Sequence, residues 1–278
     1  MRTYLTICLI LLGFSPTHGS ETEKSPPVEI TLVSEATTIA AGETFSVGIL
    51  QKIQPTYHTY WRNPGTVGLP FSIEWKLPPG FKTNAIQWPT PEISKMSVYD
   101  VWGYHNEALL VVDLVAPKSL VPGSKVKLAG KGIWMCCAAS CHPGSKDFEL
   151  EMSVSEKLKL DPEWNRRFAA TRRDQPRSSS KWTLACSVSG KKYRLTVSSK
   201  AKTAGPPKNI RFFDYDRQVS SEKGQRVNSK SNAAVIRMQQ EVHTGEKLSR
   251  LRGILVADTE WEPGVKVLAV DIPIEGRN

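Results

Sequence analysis

Residues 147–154 read DFELEMSV, and every second side chain, Phe148, Leu150, Met152 and Val154, is apolar while those between are acidic or hydroxylic. A period of two places the apolar groups on one face of an extended strand and turns the others to water. The same texture runs upstream through VEITLVSEATTIAAGETFSVGILQKI, residues 28–53, and the turn signals LPPG, VPGS and HPGS cut the region into short pieces. Residues 27–157 therefore predict an antiparallel sandwich of immunoglobulin-like type.

Downstream, DPEWNRRFAATRRDQP changes period. Asp161 can cap, Pro162 suits the first helical turn, Trp164 and Phe168 lie four apart, and Pro176 stops the run, so residues 158–180 predict one short helix followed by a polar linker, PRSSSK. Arg166, Arg167, Arg172, Arg173, Arg177 and Lys181 crowd this region and read as a solvated face. Alternation resumes in WTLACSV, KYRLTVSSK, NIRFFDY, AAVIRMQQEV, LRGILVA and VKVLAVDIPI, which makes residues 181–278 a second β-sandwich, with SEKGQRVNSKSN as a long polar loop. The fold expected is all-β: two immunoglobulin-like sandwiches joined by a short helix and linker.

The chain opens MRTYLTICLILLGFSPTHGS, one Arg before a short apolar run and then small residues, the layout of a secretory signal over residues 1–19. Export to the periplasm and solubility after cleavage follow as expectations, since no later run approaches the roughly 20 apolar residues of a membrane helix. The 37 basic residues fall to 36 without Arg2, against 27 acidic. Export and the lack of an aromatic-interleaved basic motif argue against nucleic acid as a partner.

Four cysteines then remain, Cys136, Cys137, Cys141 and Cys186, too few to staple a chain this long, so chemistry is the better reason for them. Three lie in WMCCAASCHP, residues 134–143. If Cys137 and Cys141 flank a three-residue turn they face one another across a hairpin at disulfide spacing, and Cys136 points to the opposite side. A bond closing so short a loop contributes roughly 2 kcal/mol or less. Such a bond is either a hairpin staple or an exchangeable disulfide. A third reading gives Cys136, Cys137, Cys141 and His142 to copper(I) or zinc as soft ligands. A cysteine hydrolase would require His58, His105, His142 or His243 beside a thiolate, which sequence alone does not place.

YHTYWRNPGTVGLP, IQWPTP, VWGYHNEALL and IWMCCAASCHP, in that order, resemble the N-terminal periplasmic region of the thiol:disulfide interchange protein DsbD family, nearest its suppressor-of-copper-sensitivity (ScsB) type. IRFFDYDRQVSSEKGQ and LRGILVA resemble the second β domain of that type. The resemblance implies that Cys137 and Cys141 are the redox pair, with Trp134 and Pro143 completing the motif. Electrons would come from a thioredoxin-like donor and pass to oxidised periplasmic proteins, making the chain a thiol:disulfide oxidoreductase without a bound cofactor. It further implies a cap over the pair formed by Tyr99, Asp100, Val101, Trp102, Gly103 and Tyr104, although Trp102 and Tyr104 also suit a core. Tyr57 and Tyr60 match tyrosines near the pair, and His142, if protonated, would stabilise a thiolate. Cys136 is an additional thiol that could resolve a mixed disulfide or pair with Cys186. The family's membrane and thioredoxin-like domains have no counterpart up to Asn278, so a separate protein, including a membrane electron-transfer protein, is expected to supply the electrons.

Overall fold

The computed structural model describes residues 26–201, 205–242 and 248–276. The leader expected over residues 1–19 lies outside them, as does His243.

The first domain contains, in chain order, β1 (Val28–Ser34), β2 (Ala36–Ile39), β3 (Thr44–Ile53), β4 (Thr59–Gly65), β5 (Ser72–Lys76), β6 (Lys82–Thr83), β7 (Glu92–Met96), β8 (Tyr99–Tyr104), β9 (Glu107–Val115), β10 (Lys125–Cys137), β11 (Cys141–Val154) and β12 (Lys159–Leu160). Sheets ordered β1-β3-β9-β6 and β12-β2-β11-β10-β5 enclose one core, and β4-β8-β7 form a third, smaller sheet. Phe148, Met152 and Val154 are buried in that core, with Leu150 packed at its margin, as the alternation of DFELEMSV requires. Each such side chain contributes roughly 1.5–3 kcal/mol.

β11 is longer than its alternating part. HPGS, expected as a turn, continues the strand, because the chain has already reversed at residues 138–140 and Gly144 stands opposite Trp134, where a Cβ would lie 2.5 Å from the indole. WRNPG, also expected as a turn, instead completes β4. The strand's register against β8 breaks between Tyr60 and Gly65, where Pro64 has no N–H to offer.

Helix α1 (Pro162–Arg173) starts where Asp161 Oδ1 accepts from the backbone N–H groups of Glu163 and Trp164, both at 2.9 Å. Its Phe168 is fully buried among Leu50, Leu109 and Val111. The basic cluster is more than a solvated face. Arg172 grips Glu35 with both nitrogens at 2.6 Å, Arg167 pairs with Glu107 and Lys181 with Glu262. The polar stretch after the helix is likewise pinned, since Arg177 exchanges backbone hydrogen bonds with Val267 and Ala269.

The second domain is a seven-stranded sheet wrapped around its own core, formed by β13 (Trp182–Ser189), β14 (Lys192–Ser199), β15 (Arg211–Asp214), β16 (Arg226–Lys230), β17 (Ala233–Gln239), β18 (Arg250–Val256) and β19 (Val267–Glu275) in the order β15-β18-β19-β13-β14-β17-β16. β16 lies inside the stretch read as a loop. All five of its residues are exposed, so no apolar alternation announces it.

The two domains meet through a shared aromatic cluster. Phe213 of β15 packs at 6.0 Å from Trp61 and 5.2 Å from Trp102, and Arg62 lies 4.0 Å over the Tyr215 ring. Asn63 Nδ2 donates to the Asp214 carbonyl at 2.7 Å, and Thr66 N–H to Ser221 Oγ at 3.2 Å. Among the described residues no helix is long and apolar enough to cross a membrane.

Candidate redox site

β10 and β11 form one hairpin whose last rung sets Cys137 opposite Cys141. Directly opposed residues project to the same face, and here the Cα atoms are 4.1 Å apart and the sulfurs are bonded. On its other edge Cys137 exchanges both backbone hydrogen bonds with His58, each 2.9 Å. A single rung thus runs His58–Cys137–Cys141, with all three side chains on one side of the sheet.

Tyr60, two residues beyond His58, shares that side. Its ring lies 5.1 Å from the imidazole, and with Val101 and Cys137 it forms a separate buried cluster edged by Val67, Met96 and Met135. Gly68 presses on the Tyr60 ring so closely that a Cβ would fall 2.3 Å from it, at a φ of +112° that already favours glycine. Cys137 is fully buried beneath this cover, whereas Cys141 and His142 are exposed. One sulfur of the disulfide is shielded and the other faces solvent.

The opposite side of the hairpin belongs to the sandwich core. Cys136 is fully buried there as a free thiol, its Sγ 3.7 Å from the Pro27 carbonyl, and burial pushes its pKa up to about 12. Trp134 stacks against Phe71 on that side. Cys186 sits in the core of the second domain, so no Cys136–Cys186 bond forms. The ligand set weighed for copper therefore divides, Cys137 and Cys141 projecting from one face of the hairpin while Cys136 and His142, opposed on the neighbouring rung, belong to the other. Among the described residues no three His, Cys, Asp or Glu side chains gather closely enough to hold a metal ion.

The polar groups under the cover are neutral. Burial, with His105 nearby, lowers the His58 pKa to about 4, and burial raises the Tyr60 phenol to about 12. His105 is held by the Tyr57 carbonyl at 2.9 Å and Ser94 Oγ at 2.6 Å. His58 Nε2 and Tyr60 Oη have no hydrogen-bond partner among the described residues. Two unsatisfied polar atoms thus belong to side chains on the Cys137 side of the hairpin. Outside, His142 Nε2 lies 3.0 Å from Ser140 Oγ, and its ring is 5.7 Å from that of Tyr57.

A family model described as "Thiol:disulfide interchange protein DsbD, N-terminal" matches residues 28–153. Residues 28–153 belong to the DsbD N-terminal domain family. The N-terminal periplasmic domain of ScsB from Proteus mirabilis superposes with a TM-score of 0.66 over 89% of this chain and 93% of that one, at 15% identity, and so shares the fold of both domains. Two other solved structures, titin domains Z1Z2 in complex with telethonin (10% identity, 90% and 98% covered, TM-score 0.19) and the full-length major pilin SpaD from Corynebacterium diphtheriae (7%, 87% and 61%, 0.25), are too dissimilar to inform the site. No curated protein matches the chain.

Within the DsbD N-terminal domain the residues named from sequence separate by side. Cys137, Tyr60 and Val101 meet. The segment expected as a cap loop is strand β8, hairpinned to β7, and it touches Cys137 through Val101. Trp102 and Tyr104 face the sandwich core, where Trp102 meets Trp61 and Tyr104 Oη donates to the Pro89 carbonyl at 2.9 Å. Sequence reasoning did not single out Val67, Gly68 and Met96 of the cover. Nor did it set His58 apart from the other histidines, since only the rung with Cys137 does so.

Proposed function

We propose that this chain is a thiol:disulfide exchange protein that relays reducing equivalents from a thioredoxin-like donor to oxidised proteins in the periplasm. The observation that carries the reading is the one-sided exposure of the disulfide, Cys141 open and Cys137 covered. A donor thiolate attacks Cys141 Sγ. The Cys137–Cys141 bond breaks, a mixed disulfide forms, and the Cys137 sulfur leaves with the electron pair and takes up a proton. A second donor thiolate attacks the donor's own sulfur in the mixed disulfide and releases Cys141, so the donor is oxidised by two electrons and this chain is reduced. In the onward step Cys141 attacks an acceptor disulfide and Cys137 resolves the adduct.

Cys136 stays outside this scheme, because its thiol is buried on the other face and is protonated at neutral pH. The cover over Cys137 supports a directed exchange, since it keeps outside thiols from that sulfur and leaves Cys141 as the point of attack.

The test is trapping. Cys137→Ser, which keeps the exposed thiol, should accumulate a mixed disulfide with a thioredoxin-like protein whose resolving cysteine is replaced by serine and whose attacking cysteine carries a thionitrobenzoate leaving group, while Cys141→Ser should trap at least tenfold less. Equal trapping by both variants, or by neither, would overturn the assignment.

A further inference from the structure

The second domain carries a groove of about 730 Å³ with an unusual charge balance. Five cations, Lys192, Arg194, Lys223, Arg226 and Arg237, line it against the single carboxylate of Glu222. Three of the arginines are in register. Arg194 of β14 stands opposite Arg237 of β17, and Arg237 stands opposite Arg226 of β16, so three guanidinium side chains form one row across three adjacent strands. The row continues on β13 as Ser187, opposite Arg194 and also in the groove.

Like charges directly opposed on a sheet are destabilising, and the strands are only about 4.8 Å apart. Elsewhere the described strands of this chain avoid the arrangement. On its other exposed strand faces Lys125 pairs with Glu151, Lys127 with Glu149, Arg250 with Asp271 and Arg252 with Asp216. None of the three arginines in the row forms an ion pair with a described residue. Among the described residues no ion pair compensates the repulsion, and it sits in a concave surface large enough for a small ligand.

We propose that this groove binds a small ligand carrying two or more phosphate groups, held by Arg194, Arg237 and Arg226 at intervals of one strand spacing. Guanidinium forks match phosphate oxygens bidentately, and a ligand with anionic groups roughly 5 Å apart neutralises neighbouring members of the row at once. The ligand is either a free oligophosphate or the headgroup of an anionic lipid. The site is remote in sequence from the disulfide and does not depend on thiol exchange.

Titration calorimetry with inorganic tripolyphosphate, and flotation with vesicles of phosphatidylcholine with or without cardiolipin, address the two sources in the intact chain. Arg237→Gln, the middle of the row, should weaken binding at least tenfold, while Arg166→Gln, an exposed arginine on α1, should change it less than twofold. Binding to tripolyphosphate assigns the site to free anions, and binding to cardiolipin vesicles alone assigns it to headgroups. Equal losses in the two variants would reduce the effect to net charge and overturn the proposal, as would no binding of either probe at low ionic strength. A second readout is thermal. Arg237→Gln should melt higher than wild type without ligand, because a like-charge contact is removed, and should gain less on adding tripolyphosphate. An unliganded melting point that falls would count against the row as a site kept at a cost to stability.

Discussion

His58 is the residue on which the chemistry of the covered sulfur turns. Its backbone holds Cys137 in place through two hydrogen bonds, and its imidazole, neutral and without a partner at Nε2, lies on the side of the sheet where a Cys137 thiol appears once the disulfide opens. Its folded pKa of about 4 lies below the ordinary 6.5, so the unfolded chain binds more protons between those values and this contribution to stability is lost as pH falls through the window. The term is on the order of 3 kcal/mol. Asp214 acts in the opposite sense. Burial outweighs three backbone N–H donors and raises it to about 6, so its contribution is present at low pH and is lost as pH rises from its ordinary 3.8 through 6. Wild type therefore shows a flattened acid limb. In His58→Gln the Asp214 term stands alone, and urea midpoints at pH 7 and pH 4.5 should show the variant gaining on wild type by about 2–3 kcal/mol toward acid. Parallel pH dependences for the two proteins would refute the buried neutral imidazole.

Among the elements, those with a strong local signal were legible and those set by tertiary context were not. Alternation located β11 through Phe148, Met152 and Val154, and the Asp161–Pro162 start with Pro176 beyond bracketed α1. β16 stayed hidden because an exposed edge strand has no apolar period, and β4 ran through Pro64 because its partners, not its composition, hold it extended. The cysteine pair was readable from a spacing of four. Its cover was readable only in part: the resemblance gave Tyr60 and Val101, whereas Val67 and Met96 join them from a loop and from β7 with no local signal of their own. The helix shows how a local signal is completed by packing. Phe168 fits against β3 where Gly48 leaves room, a Cβ there falling 2.8 Å from the Phe168 ring. Phe168→Ala should therefore cost about 3–5 kcal/mol in urea unfolding, even though α1 has a satisfied cap and two ion pairs to the sandwich. A loss under 1 kcal/mol would mean that the charged contacts, not the phenyl ring, seat the helix.

At the scale of the whole molecule the second domain supports the cover from behind. Phe213 is buried against Trp61 and Trp102, which sit on β4 and β8 one position after Tyr60 and Val101, the residues that press on Cys137 from the other face of the same strands. Asn63 reinforces the link, its Nδ2 bound to the Asp214 carbonyl and its Oδ1 accepting from Gly65 N–H at 3.0 Å. A strand pair clamped on one face cannot easily tilt to uncover the other, so domain packing and sulfur access are physically coupled. Phe213→Ala should lower stability by about 3–5 kcal/mol and separate unfolding into two transitions followed by tryptophan fluorescence, because the aromatic contact holding the domains as one cooperative unit is gone. In the reduced protein under native conditions the Cys137 thiol of the same variant should be alkylated by iodoacetamide several-fold faster, as the β4–β8 cover over Cys137 opens more often. A variant that unfolds in two steps yet has Cys137 alkylated at the wild-type rate would show that the clamp stabilises the interface without governing access to the covered sulfur. Access to Cys137 would then be set by the Val67 and Met96 side of the cover alone.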